Sequence, residues 1–253
     1  MRSSFTLICF ILCNLLLGQD PGRIESEYKL KVENEQANAI WEHIKSTFSS
    51  EKIKTIDPSL TAQLSEELFY DQYFDTNEQE LLKNKAGVRY RKRFKEGILI
   101  KSLIQLKLPL SEDGIARNEV KFNVNSKVKK TDPKGRHAFW KYIKPNQRDD
   151  VDLQLANFEV LGDALKPKLK LKQNRKRAYI SKAGQAFMTL TLDEVSYFYF
   201  PYTSFTELEL ELNEILYTEA NESTRKQMEE MNSKIKEELF AAFPNLVQDQ
   251  TPK

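Results

Sequence analysis

Sulfur and imidazole are scarce in this chain. Of 253 residues two are cysteine and two are histidine, and both cysteines, Cys9 and Cys13, fall within the first 18 positions. If that segment is removed, the remainder has no disulfide, thiol nucleophile or cysteine metal site. His43 and His137 stand far apart, with no spacing for an imidazole metal site or a catalytic triad, and are read as structural. A surplus of one charge is also missing. Lys+Arg number 39 against 37 Asp+Glu, which argues against the global positive field of a nucleic-acid binder. Any anion affinity must therefore come from local arrangement. The apolar run Phe5 to Leu17 is about 13 residues, short of the ~20 that a spanning helix needs. Following Arg2, it reads as a signal peptide over residues 1–18. The expectation is an exported protein, periplasmic or secreted, with no transmembrane span once mature. Lipid attachment at Cys13 is disfavoured because Leu12 is bulkier than such a site prefers. Repeats and low-complexity linkers are absent, so one domain over residues 24–245, followed by a polar tail at 246–253, is expected.

What is present is alternation. "ESEYKLK" (Glu25 to Lys31) puts Glu25, Glu27, Lys29 and Lys31 at every second position, which in a strand is one face. The same period runs through Phe69 to Thr76, Val88 to Phe94, Leu103 to Leu110, Ala116 to Val124, Leu169 to Ser181, Gln185 to Phe198 and Ser204 to Leu212. Asp113-Gly114 marks a hairpin turn. Helical spacing appears twice. Asn34 is placed to cap a helix with the stripe Ala37, Ile40, Trp41, Ile44 and Phe48, and an amphipathic helix covers roughly Glu219 to Phe240. Strands outnumber helices and turns are short. The predicted class is mainly β (α+β): a closed or nearly closed antiparallel barrel with accessory helices, including a C-terminal one.

A half-solvated sheet would also alternate. Two features oppose that. Acids dominate the first and last long strands (Glu25, Glu27; Glu207, Glu209, Glu211), whereas bases dominate those between (Arg89, Arg91, Arg93, Lys107, Arg117, Arg175, Arg177). A surface selected for solubility intersperses the signs. Polar positions also recur on one face of nearly every strand, and in a barrel with an apolar, helix-covered exterior they line the interior. Clustered Arg and Lys suit phosphate oxygens, with Arg adding bidentate contact. Clustered carboxylates suit hard divalent cations. Together they describe a Mg²⁺-polyphosphate site.

"ESEYK" resembles the Glu-x-Glu-x-Lys opening of the CYTH family, the triphosphate tunnel metalloenzymes. The likeness continues through "YFDT", "LLKNKAGVRYRKR", "LKLPLSEDGIARNEV", "RKRAY", "LTLDEV" and "ELELEL". It implies an eight-stranded antiparallel β tunnel that binds triphosphate compounds and Mg²⁺ or Mn²⁺. By position it implies metal carboxylates at Glu25, Glu27, Glu207 and Glu209, with Glu119 and Asp193 as further inward acids. Phosphate-binding bases are implied at Lys29, Arg89, Arg91, Lys107, Arg117, Arg175 and Arg177, and Lys29 and Glu27 are the implied catalytic pair. Lys121 departs from the pattern, since the family often has an acid there. Asp75 and Thr76 of the "YFDT" piece are read as capping the next turn. The expected activity is metal-dependent hydrolysis of inorganic triphosphate, short polyphosphate or nucleoside triphosphates. An adenylyl cyclase of the same family and a non-enzymatic polyphosphate binder are the alternatives.

Overall fold

A computed structural model describes residues 23–25, 27–49, 51–109, 117–124, 139–198 and 203–249, with the side chains of 23–25, 27 and 117 excluded. The expected signal segment, both cysteines, His137 and the expected Asp113-Gly114 turn lie outside the described residues. Ten strands form: β1 (Arg23–Glu25), β2 (Glu27–Val32), β3 (Leu60–Asp75), β4 (Gly87–Lys95), β5 (Ile98–Pro109), β6 (Arg117–Asn123), β7 (Lys166–Lys182), β8 (Gln185–Tyr197), β9 (Ser204–Leu212) and β10 (Val247–Gln248). They hydrogen-bond in the order β1-β6-β5-β4-β3-β7-β8-β9-β2-β10. The architecture is thus mainly antiparallel β with accessory helices, as predicted. The order has two ends, so strand pairing among the described residues does not close it. The two strands beyond the predicted eight are short. β1 reaches the expected first strand only at Glu25, and β10 lies in the expected polar tail, pairing Val247 with Lys31 and Gln248 with Leu30.

The chain divides into two compact units, one of residues 1–24, 72–91 and 102–168, the other of 25–71, 92–101 and 169–253. In the second unit, β7, β8, β9 and β2 present their apolar alternates to two helices, α1 (Ala37–Thr47) and the C-terminal α5 (Glu222–Ala242). Leu30, Leu190, Leu192 and Leu208 from the strands meet Ile40, Ile44, Ile235 and Leu239, each at most 1% exposed. Burial of such a side chain stabilises by about 1.5–3 kcal/mol, and truncating one to Ala costs about 2–5 kcal/mol.

Local capping differs from the sequence expectation at α1. Asn34 does not cap α1. Its amide donates to Ser204 Oγ at 3.2 Å and its carbonyl accepts from Thr206 Oγ1 at 2.8 Å, tying it to β9. The C-terminal helix forms where it is expected, as α5, with Asn221 Oδ1 accepting from Thr224 N at 2.9 Å as its cap, and a short α4 (Glu214–Glu219) precedes it.

The first unit builds its core from β4, β5 and β6 against the irregular stretch around Phe139 and the helix α3 (Arg148–Leu155). Val88, Ile104, Leu106, Ile143, Val151 and Leu155 are fully buried. At the end of β3, Asp75 caps the one-turn α2 (Glu80–Lys83). Its carboxylate accepts from Leu81 N and Leu82 N at 3.0 Å each, and Thr76 Oγ1 accepts from Glu80 N at 3.1 Å. The structural role predicted for this pair holds. His43 is structural too, packed edge-on against Phe243 and 3.6 Å from Glu238.

Candidate functional site: buried acids and bases on adjacent strands

The polar face of the second unit is largely buried, with Lys31 at its exposed margin. Register places Arg175 opposite Asp193, Asp193 opposite Glu207, Arg177 opposite Thr191, Thr191 opposite Glu209, and Glu209 opposite Lys29. Directly opposed residues share a face, so these form two adjacent rows across β7, β8, β9 and β2. Asp193 is 0% exposed, Glu207 and Glu209 5%, and Lys29 7%. A buried charge without compensation is costly, so this face needs counter-charges.

The protein itself supplies counter-charges. Asp193, Glu207 and Glu209 each offer a carboxylate oxygen within 4.8 Å of the others. Arg175 Nε donates to Asp193 Oδ1 at 2.7 Å, its Nη2 donates to Asp193 Oδ2, and Nη2 lies 3.7 Å from Glu209. Burial alone would lower the Arg175 pKa. The charge and hydrogen bonds of Asp193, helped by Glu209 and Glu207, outweigh it and raise the pKa above the ordinary arginine value. Arg177 moves the other way: burial lowers its pKa, and the positive charge of Arg175 adds to that. Arg177 Nη1 donates to Tyr179 Oη at 3.0 Å and to Glu67 Oε2 at 3.3 Å. Arg93 donates to the other oxygen of Glu67. Phe69 lies under both guanidiniums, 5.5 Å from that of Arg175 and 5.9 Å from that of Arg177. Arg175 and Glu67 also line a cavity of about 400 Å³ with Phe94 and Asn174.

The first unit carries its own polar cluster. Arg89 Nε donates to Gln105 Oε1 at 2.6 Å and Nη1 to Tyr73 Oη at 3.0 Å, and Arg91 is 7% exposed. Lys107 stands opposite Glu119 in the β5–β6 ladder. Lys121, two residues on along β6, closes on the Glu119 carboxylate. Burial would raise the Glu119 pKa, but Lys107, Lys121 and Arg89 bring it down to about 2. Glu119, predicted as a metal acid, is thus held by bases, and the Lys121 departure provides one of them.

The predicted residues therefore fall into two groups, with the side chains of three others outside the description. Lys29, Arg175, Arg177, Asp193, Glu207 and Glu209 come together in the second unit, and Arg89, Arg91, Lys107 and Glu119 belong to the first. The side chains of Glu25, Glu27 and Arg117 lie outside the described residues. By backbone, Glu25 ends β1, Glu27 opens β2 opposite Glu211, and Arg117 opens β6 opposite Pro109. Glu67 escaped the sequence reading because β3 was expected to begin at Phe69. The apolar alternates Leu60, Ala62 and Leu64 were the available signal, and they put Glu67 on the opposite face.

An antiparallel β protein whose strands bury rows of carboxylates against guanidiniums carries groups chemically suited to cations and oxyanions. The chain belongs to the CYTH family, whose domain model matches residues 23–239. No curated protein matches it. Among solved structures, it is similar to HpAC1 from Hippeastrum, provisionally named an adenylyl cyclase and described as having a dominant triphosphatase activity. That match has 18% identity over 85% of this chain and 87% of the other, with a TM-score of 0.50. A protein from Bacillus halodurans, provisionally named an adenylate cyclase, matches at 21% identity over 81% and 98%, TM-score 0.48. The Pct1 RNA triphosphatase of S. pombe matches at 11% identity over 96% and 88%, TM-score 0.38. At such identities the likeness is one of fold.

Proposed function

We propose that this protein is a metal-dependent phosphohydrolase that removes the terminal phosphate of inorganic triphosphate, short polyphosphate or a nucleoside triphosphate. One observation carries the proposal: three buried carboxylates, Asp193, Glu207 and Glu209, converge within 4.8 Å beside the guanidinium of Arg175. The donor set consists of carboxylate oxygens, which fit Mg²⁺ or Mn²⁺ rather than a softer metal. Glu207 and Glu209, with Asp193, would hold the ion, and Glu25 and Glu27 are proposed to join them from the first strands. A bound divalent ion would supply charge neutralisation on the phosphate oxygens.

The chain's own residues supply the rest. Arg175 and Arg177 offer planar donors to phosphate oxygens, and Phe69 beneath them restricts where those donors point. Lys29, opposite Glu209 on β2, is proposed to orient the attacking water with Glu27. Arg89, Arg91, Lys107 and Arg117 are proposed as further phosphate-binding bases. The largest contribution asked of these groups is stabilisation of charge as it develops on the transferring phosphoryl group.

Residues 1–18 are proposed to direct export and then to be removed. On that basis inorganic polyphosphate is a more accessible substrate than cytoplasmic nucleotides. Orthophosphate release should be measured from triphosphate, short polyphosphate and ATP, each with Mg²⁺, Mn²⁺ or EDTA, on protein lacking residues 1–18. Release with metal and none with EDTA is expected. Tight binding without release under every metal would overturn hydrolysis in favour of a binder, and cyclic AMP from ATP would favour a cyclase.

A further inference from the structure

The hairpin joining β4 to β5 ends in three consecutive exposed aliphatic residues. Ile98 is 66% exposed, Leu99 43% and Ile100 54%, and the described residues contain no other such run. The turn before them is tight. Glu96 and Gly97 both have positive φ, 51° and 76°, the two-residue geometry that matches strand twist. Strand alternation sends Ile98 and Ile100 to one side and Leu99 to the other, yet all three meet solvent. A protein partner with a one-sided groove would cover only one of these faces. A medium that is apolar all round a projecting tip would cover both.

The flanking residues say which medium. Lys92, Lys95 and Lys101 surround the tip, with Glu96 as the one acid between positions 92 and 101. At the base, the ring of Phe94 stands edge-on to Tyr70 at 5.7 Å. Tyr70 in turn lies 6.0 Å from the ring of Phe198, which is 46% exposed. An apolar tip, aromatic rings at its base and flanking lysines offer what a lipid interface can engage: hydrocarbon, the headgroup boundary and anionic charge. We propose that this hairpin tip inserts into the surface of an anionic lipid bilayer, with Ile98, Leu99 and Ile100 in the acyl region and the lysines at the headgroups.

The test uses the full chain and a local reporter, because residues 5–17 are themselves apolar and could adsorb to lipid. Leu99→Trp places an indole at the tip. Leu161→Trp places one at another exposed leucine, 63% exposed and in the other unit, as the control. Each is titrated with vesicles of phosphatidylcholine alone and of phosphatidylcholine with phosphatidylglycerol, some carrying brominated acyl chains. The expected result is a blue shift and bromine quenching of the tip indole's emission, stronger with phosphatidylglycerol and reduced by salt, with neither change in the Leu161→Trp protein. Adding Ile98→Ser and Ile100→Ser to the tip reporter should weaken the vesicle-dependent shift by about tenfold or more. Lys95→Gln with Lys101→Gln should do so for anionic vesicles alone. No vesicle-dependent change at the tip indole, or an equal change in both proteins, would overturn the proposal. So would a blue shift that grows with protein concentration without vesicles, which would mean that a second copy covers the tip.

Discussion

Arg175 and Asp193 stand directly opposite one another on β7 and β8, and both oxygens of the carboxylate accept from the one guanidinium. The pair links the two chemistries of this face. Arg175 neutralises one acid of the trio and stands 3.7 Å from a second, Glu209.

Replacing Asp193 with Asn should therefore be a severe change. Arg175 would keep its charge in a site where its side chain is 12% exposed, with the Glu209 carboxylate 3.7 Å away. Breaking one side of a buried pair costs about 3–5 kcal/mol. Urea denaturation should show a loss of that size, and a loss below about 1 kcal/mol would mean that the pair is not what holds Arg175.

Glu119 predicts a pH signature in the first unit. Its carboxyl is brought from the ordinary value of 4.5 down to about 2, against the effect of burial, by Lys107, Lys121 and Arg89. A depressed folded-state pKa contributes stability above the unfolded value, and that contribution is lost as pH falls from about 4.5 towards 2. The stability difference between the wild type and Glu119→Gln should thus be full at about pH 6 and shrink across that window. A difference independent of pH would exclude the charge interaction as its source.

Much of this site was legible because period-2 alternation is a geometric property of strands. Arg175, Arg177, Asp193, Glu207 and Glu209 are all read from i, i+2 spacing, and antiparallel register brings them together. What escaped were partners that no spacing encodes. Asn34 precedes an apolar stripe as a cap does, yet its side chain spans to Ser204 and Thr206, which only the folded chain brings near. The short helix α4 before Asn221 carries no apolar stripe long enough to announce it. Lys121 looked like a lost acid, whereas its ammonium is a counter-charge for Glu119.

Glu67 bridges Arg93 and Arg177, and its side chain is 2% exposed. A carboxylate between two guanidiniums stands where a phosphate oxygen would be equally welcome. Glu67→Gln should lower the melting temperature of the ligand-free protein, because two arginines lose a shared counter-charge. The same change should tighten triphosphate binding, by about fivefold or more, since charge-assisted contacts are worth about 1.5–3 kcal/mol. Calorimetric titration with triphosphate in EDTA measures this apart from any metal. Weaker binding would mean that Glu67 holds the arginines in place for the ligand rather than competing with it.

The decisive test lies on β9. Glu207 and Glu209 are adjacent same-face residues, each 5% exposed, and their carboxylates meet Asp193 within 4.8 Å. Glu207→Gln and Glu209→Gln each keep shape and hydrogen-bonding capacity while removing one negative charge. Either should nearly abolish metal-dependent phosphate release, and raising Mg²⁺ or Mn²⁺ should restore part of it if ion affinity is the main loss. The two acids serve one ion in this proposal, so the double variant should be little worse than the worse single one, as groups acting as a unit are strongly non-additive. Glu33→Gln, at an exposed position just after β2, is the control and should release phosphate normally. Circular dichroism and melting curves on each variant separate lost chemistry from lost folding. If the folded single variants keep full activity, or their losses simply multiply in the double variant, Glu207 and Glu209 do not share an ion, and the acidic face of β9 has some other purpose.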